Sequence, residues 1–424
     1  MDQLTRRLVA PTPPSSLQPR PLPAAADGSS LRGRLVGGAV VAVLFMGSTL
    51  LTPLYDLYRQ TYGFSAVTLV LLYAVYVIGN LTALLLLGRL SDQLGRKPIA
   101  LAGVGLAAVS ALFFLLAQAP AWLFAARILS GCAVGLGAGA ATAWITEFTP
   151  PARRPQAASV MTSFNFLGLA LGPLAAGVLA QYAPLPLRLA FVAYLALLAV
   201  VAALVWGTPE TLRERRPGRL SLKPRLGVPP DIRLPFLAPA ATLFSGMALV
   251  GFFAALGPTT IRVDLHLTNR ALASAAVAEL FVVAALAILA TRRLSPRAGM
   301  LAGLVLTPPG LALLVAAQAL GSMAVFLAGT TVCGIAAAFG YRGGLQVTNQ
   351  LAPADRRAEV VSAYFICGFV GNALPIIGVG VLSQTLGART ADMVFAGVVS
   401  VVAVAALAAG LAFRGGDPDS RRLR

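Results

Sequence analysis

Three charged side chains sit where charge is costly. Arg127 lies six residues into an apolar run over 121–146, about 9 Å along a helix from its start. Glu279 falls midway along the apolar run over 271–290, and Asp56 closes the first such run, over 35–55. A guanidinium at that depth must face a cavity or a partner, or reach back toward the interface. A carboxylate taken out of water favours its neutral form, which suits it to hold and release a proton. An arginine that approaches or leaves such an acid changes its hold on that proton. Arg127 with Asp56 or Glu279 is therefore a candidate proton-responsive set. Each has a plainer reading too. Arg127 can cap a helix, Asp56 can be a solvated helix-end acid, and Glu279 can bond one helix to another.

Two further stretches carry chemistry through their spacing. In Gly88-Arg-Leu-Ser-Asp92-Gln-Leu-Gly95-Arg96-Lys97, Gly95 permits a tight turn. Asp92 can meet a helix N-terminus, where the dipole favours an anion. In Gly168-Leu-Ala-Leu-Gly172-Pro173-Leu-Ala-Ala-Gly177, small residues four apart let helices approach closely, and Pro173 can kink its helix. Tyr73, Tyr76, Asn80, Asn165 and Asn372 are polar groups inside apolar runs. They can line a cavity or pack at helical spacing.

The elements that must hold these residues are membrane helices. The chain has 424 residues, 58% hydrophobic and only 11% charged, against about 25% charged in a soluble domain. Apolar runs of this length are spans, and without water they must satisfy their backbone internally as helices. Spans are expected near 35–55, 67–88, 98–119, 121–146, 157–180 and 187–206. A second set is expected near 235–256, 271–290, 298–320, 322–341, 360–382 and 391–413. The fold class is therefore an all-α membrane protein with twelve transmembrane helices in two pseudo-symmetric six-helix bundles. Residues 1–34 read as a disordered tail, 35–207 as the first bundle, 208–234 as a linker, 235–413 as the second bundle and 414–424 as a tail.

The net charge of +18 has a topological reading. Of the 33 basic residues, 26 fall on the tails, the linker and the loops on their side. Only Arg59, Arg188, Arg262, Arg270 and Arg389 fall on the opposite loops. That bias puts both termini in the cytoplasm of an inner (plasma) membrane. It makes the lipid bilayer, not nucleic acid, the partner of the charge. The chain also repeats: Arg89–Gly95 resembles Arg293–Gly299, and Pro151–Arg154 has a counterpart in Ala354–Arg357 at nearly the same offset. Parallel six-helix repeats are a transporter plan. Cys132, Cys333 and Cys367 all lie in apolar runs and His266 is the one histidine, so neither a disulfide framework nor a metal site is expected. No nucleotide-binding G-x-x-x-x-G-K-[ST] run is present, no cofactor is expected, and nothing points to an enzyme.

The segment Gly88–Lys97 resembles the signature loop G-x-L-x-D-x-x-G-R-K of the major facilitator superfamily. Arg127 with Gly131 resembles that family's fourth-helix R-x-x-x-G motif. Gly168–Gly177 resembles its fifth-helix exporter motif G-x-x-x-G-P-x-x-G-G, with Ala176 in place of one glycine. Pro53-Leu-Tyr-Asp56 resembles the P-x-x-P helix end of twelve-span drug exporters, with Asp56 in place of the second proline. The resemblance is closest to the twelve-span drug:proton antiporters. It implies that Asp92 and Arg96 latch the two halves on the cytoplasmic side, and that Arg127 takes part in proton coupling. Pro296 stands where the second copy of the loop would carry its Asp, so one latch is expected. The implied function is proton-coupled export of small amphipathic molecules or drugs by alternating access, by a single chain. Proton-coupled import, or facilitated passage, of a polar metabolite such as a sugar is the alternative. A non-transporting receptor on the same fold is a third reading.

Overall fold

The computed structural model describes residues 27–88, 90–150, 153–212, 226–290 and 294–412. The expected tails at 1–26 and 414–424, the middle of the expected linker at 213–225, and Arg89 and Arg293 of the repeat lie outside the described residues.

Twelve helices are long and apolar enough to cross a membrane, and among the described residues there is no strand. The first half holds α1 (Asp27–Thr49), α2 (Ala66–Thr82), α3 (Arg96–Leu115), α4 (Pro120–Glu147), α5 (Arg154–Tyr182) and α6 (Leu189–Trp206). The second holds α7 (Arg233–Ala255), α8 (Arg270–Ala290), α9 (Pro296–Leu320), α10 (Met323–Leu351), α11 (Arg357–Leu386) and α12 (Ala388–Ala412).

Several boundaries differ from expectation. The first helix begins at Asp27, so 27–34, expected as tail, are helical. It stops at Thr49, and after a short turn the chain continues as the separate helix Tyr55–Tyr62, ended by Gly63 at φ 66°. The helix α10 runs to Leu351, past its expected end at 341. Nothing obliges a helix to stop where its sequence turns polar, because its backbone bonds are internal on both sides of the interface.

The two halves pack alike. Within the first, α1 lies on α4 and α5, α2 on α4, and α3 on α4 and α6. Within the second, α7 lies on α10 and α11, α8 on α10, and α9 on α10 and α12. The halves meet through α5 against α8 and α2 against α11. A two-fold axis along the bundle exchanges these two contacts. The outward surface is apolar: Ile78 and Val401 are 62% and 69% exposed. Lipid tails are as apolar as such side chains, so this surface costs nothing in a bilayer.

The bundle therefore has two ends. One carries the residue 88–95 loop and the connection between halves, and is called the linker end below. The far end carries the helix Tyr55–Tyr62, the turn after α7 and the start of α12.

Candidate functional site

A cavity of about 150 Å³ lies between the halves. Its lining takes in all five polar candidates, Tyr73, Tyr76, Asn80, Asn165 and Asn372, together with Arg127. Most of the rest is apolar: Phe45, Phe166 and Leu169 from the first half, and Met247, Val250 and Phe369 from the second. The polar groups come from α2, α4, α5 and α11, each facing the axis. The Tyr73 hydroxyl donates to the Asn372 Oδ1 at 2.5 Å. That bond joins the halves midway through the bundle.

Arg127 is 1% exposed. It donates to the carbonyls of Ser48 at 2.7 Å, Leu72 at 3.4 Å and Tyr73 at 3.4 Å. Those carbonyls sit where α1 ends early and along α2, so the break after Thr49 has a use. The guanidinium also lies over the rings of Tyr76 and Tyr73, at 4.8 and 5.6 Å. Carbonyl dipoles and ring faces stabilise a cation without neutralising it. Close contact between α2 and α4 makes this reach possible. A Cβ on Gly131 would strike the Tyr76 carbonyl.

The two candidate acids lie outside the cavity lining. Asp56 pairs with Arg262 of the second half at 3.1 Å, and the Thr259 hydroxyl donates to it at 3.3 Å. Its partner in this conformation is thus Arg262 rather than Arg127. Glu279 accepts 2.6 Å from the Thr331 hydroxyl of α10, a contact within one half.

The exporter-motif glycines have distinct neighbours. A Cβ on Gly168 would strike the Ala42 carbonyl, and one on Gly172 would strike Thr49 and the Met46 carbonyl, all in α1. One on Gly177 would strike Ser274 of α8, in the other half. Pro173 lies inside α5. The motif therefore presses α5 against α1 at two points and against the other half at a third. Other far-end contacts also cross between halves: Asn269 donates to the Tyr182 hydroxyl at 3.2 Å, and the Arg270 N–H to Gln181 Oε1 at 2.9 Å.

At the linker end the signature loop is tied within its own half. Gly88 ends the helical stretch that continues α2, and Asp92 sits in the first turn of a five-residue helix, Leu90–Leu94. Gly95, at φ 110°, then turns the chain into α3. Only glycine adopts that φ without strain. Arg96 reaches Asp92 at 2.5 Å and Glu147 of α4 at 2.9 Å. The anion at the N-terminus of α3 is not Asp92 but Glu210, which accepts the N–H groups of Arg96 and Lys97, both at 3.0 Å. The Lys97 ammonium donates to the Trp206 carbonyl at 2.5 Å. Thr211 in turn donates to Glu147. Among the described residues, no hydrogen bond or ion pair of this cluster reaches the second half.

Sequence reasoning missed several of these partners. Glu147 was not among the candidates and Glu210 fell within the expected linker, yet both complete the loop network. Arg262 counted only toward loop charge. Asp392, at the start of α12, is 6% exposed and accepts 2.9 Å from the amide of Gln318 in α9. The one signal for it was an acid inside an expected span. In the turn before α8, burial pushes the Asp264 carboxyl above its ordinary range, against the opposing pull of Arg389 and His266.

The sequence profile of the Major Facilitator Superfamily matches residues 38–292, more than half of the chain. The chain belongs to that superfamily, as a multi-pass membrane protein with a transporter fold rather than an enzyme. Over 137 residues it is 32% identical to the arabinose-proton symporter of Bacillus subtilis, a stretch covering 32% of this chain and 28% of the relative. Over 141 residues it is 26% identical to the quinolone resistance protein NorA of Staphylococcus aureus, covering 33% of this chain and 36% of the relative. The chain thus matches about a third of the length of these curated relatives. Among solved structures, a bacterial homologue of the human lysosomal transporter Spinster superposes with a TM-score of 0.74 at 17% identity, over 92% of this chain and 98% of that one. The nucleoside transporter NupG superposes with a TM-score of 0.68 at 16% identity, over 89% and 99%.

Proposed function

We propose that this chain is a secondary transporter that exports small amphipathic molecules, coupled to protons, by rocking its halves about the central cavity. The observation that carries this reading is the Asp56–Arg262 pair. It spans the two halves at the far end, next to the Gly177–Ser274 contact. When the halves part there, the pair must break, and the freed carboxylate can be neutralised by a proton. Substrate access and proton binding are then linked through one movement. Glu279 keeps its partner in any rigid rocking, so Asp56 is the better coupling acid. Arg127 stays in the cavity wall as the fixed charge. The loop Gly88–Lys97 acts as the latch, with Glu147 and Glu210 holding it ready.

Both termini lie in the cytoplasm of the plasma membrane in this reading, the linker end faces inward, and one chain suffices. Cysteines placed at Arg59, Arg188 and Arg389 should then react with an impermeant thiol reagent from outside, and ones at Arg96 and Arg356 should not. The functional test is transport in inverted vesicles under an imposed proton gradient, screened across dyes, antibiotics and sugars. Gradient-dependent accumulation of dyes or antibiotics is the expected result. Gradient-driven loss of preloaded sugar from the vesicles, without accumulation of dyes or antibiotics, would favour import of a polar metabolite, the reading that the match to an arabinose-proton symporter supports. Failure to move any of them at normal expression would remove the transport reading.

A further inference from the structure

The cavity has a charge imbalance. Arg127 is the one formally charged residue in its lining, and no Asp or Glu joins it there among the described residues. The three carbonyl bonds use one N–H on each guanidinium nitrogen. A guanidinium carries five N–H groups. One on each terminal nitrogen is left with no acceptor among the described residues. The group is nonetheless buried and sits against the cavity. A buried cation without a counter-charge is unfavourable, and an anion brought to it recovers much of that cost. Arginine also suits a carboxylate or sulfonate, because its donors are fixed in a plane.

The opposite wall differs in kind. The second half contributes Leu243, Met247, Val250, Phe365 and Phe369, with Asn372 as its polar group nearest Tyr73. An apolar or aromatic body fits there, and the flexible thioether of Met247 tolerates varied shapes.

We infer that the cavity binds organic monoanions with an apolar body, the anionic head against Arg127 and the body against the wall formed by α7 and α11. This deepens the transport reading and rests on it for the word substrate. The binding itself does not depend on coupling or direction. It separates this cavity from one built for lipophilic cations, which needs an acid in its lining. The ligand chemistry, one anionic head on an apolar body, is shared by soluble organic acids and by anionic lipids, and the site is assigned here to the soluble acids.

The test uses the full chain in detergent and three fluorescent probes that share a body: dansylglycine (anion), dansylamide (neutral) and dansylcadaverine (cation). The expected result is dansylglycine binding at least about tenfold more tightly than dansylamide, a difference near 1.4 kcal/mol, with dansylcadaverine weakest. In Arg127→Gln the preference for dansylglycine should vanish, and Arg127→Lys should keep part of it. Should Arg127→Gln fail to fold, Met247→Glu supplies the test from the other wall. An added carboxylate there should cancel the preference and favour dansylcadaverine. Equal binding of all three probes, or tightest binding of the cation, overturns the inference. So does a dansylglycine preference unchanged in folded Arg127→Gln or folded Met247→Glu. Displacement of dansylglycine by dihexanoyl phosphatidylglycerol, but not by 4-phenylbutyrate, would assign the site to lipid and overturn the soluble-acid assignment. Uptake of the same probes into proteoliposomes separates the two proposals. Anion-selective binding without uptake leaves the inference standing and removes transport, whereas uptake of dansylcadaverine alone does the reverse.

Discussion

The two ends of the bundle are fastened in opposite ways. At the far end, polar contacts run between halves: Asp56 to Arg262, Asn269 to Tyr182, and the Arg270 N–H to Gln181. At the linker end, the ion pairs among the described residues stay within a half. Arg96 binds Asp92 and Glu147, Glu210 covers the start of α3, and Arg356 binds Glu359 at 2.8 Å. In the cavity wall itself, the halves also touch through the rings of Phe166 and Tyr341, whose centroids are 6.4 Å apart. A ring edge against a ring slides at little cost, whereas an ion pair and directed hydrogen bonds do not. The far end is therefore fastened across the halves by directed polar bonds, whereas the described linker-end network is fastened within one half. The difference teaches where the proposed rocking of the halves would have to break directed bonds: at the far end, while the linker-end network can move with its own half.

The largest expected effect comes from forcing the far end apart. In Gly177→Leu the new side chain drives into Ser274 and toward the Arg270 carbonyl. Overpacking of this kind costs about 1–3 kcal/mol, enough to lower the closed state about fivefold or more. Transport should fall at least about fivefold on that scale. A cysteine at Asn269, in a background lacking the native cysteines, should become more reactive from the far side. Unchanged reactivity would mean that the α5–α8 contact does not govern closure.

Next is the linker-end network. Arg96→Ala removes the group that joins Asp92 to Glu147, and should lower both the transport rate and the melting temperature of the purified protein. Arg96→Lys should recover only part of each, because an ammonium cannot fork between two carboxylates as a guanidinium does. Full recovery by lysine would show that only charge matters there.

Asp56→Asn sharpens the comparison from the other side. The pair is partly exposed, and such pairs contribute about 0.2–1 kcal/mol, so the closed state should weaken by about fivefold at most. Its main effect should be qualitative. Proton-driven accumulation should be lost while downhill exchange of substrate persists, both measured in vesicles. Accumulation at the wild-type level would detach proton coupling from the far end.

The smallest effect is expected at Glu279→Gln. The amide can still accept from Thr331, and the contact lies within one half. Transport and accumulation should stay within about twofold of wild type, since an unstrained polar swap of this kind costs little. Loss of accumulation here, with Asp56→Asn intact, would move the coupling acid into the second half.

How much of this was legible in advance varies by residue. The twelve spans were legible because a helix in lipid must satisfy its own backbone and be apolar over the bilayer's width, and both demands are written locally in sequence. The break after Thr49 was not, because the run stays apolar through it. The polar candidates Tyr73, Tyr76, Asn80, Asn165 and Asn372 all reach the cavity lining, since a polar side chain in a span has few other places to go. Arg262, Glu147 and Glu210 were passed over because each looks like an ordinary loop or helix-end charge. Their partners lie 206, 51 and 114 positions away along the chain.

The sequence by itself thus determined that the chain is a twelve-helix membrane protein of a recognisable superfamily, that its charge is sorted to one side, and that Arg127 sits deep in a span. Hydrophobic length, loop charge and short motifs are properties of contiguous residues, and they act before any helix meets another. Only the tertiary structure decided which charges meet. It paired Asp56 with Arg262 across the halves and gave the start of α3 to Glu210, while Asp92 sits in the first turn of the short helix before it. It also left Arg127 facing a largely apolar cavity with carbonyls and rings but, among the described residues, no acid. Those outcomes depend on the rotation and tilt of packed helices, and a residue's own neighbours in the chain do not fix either.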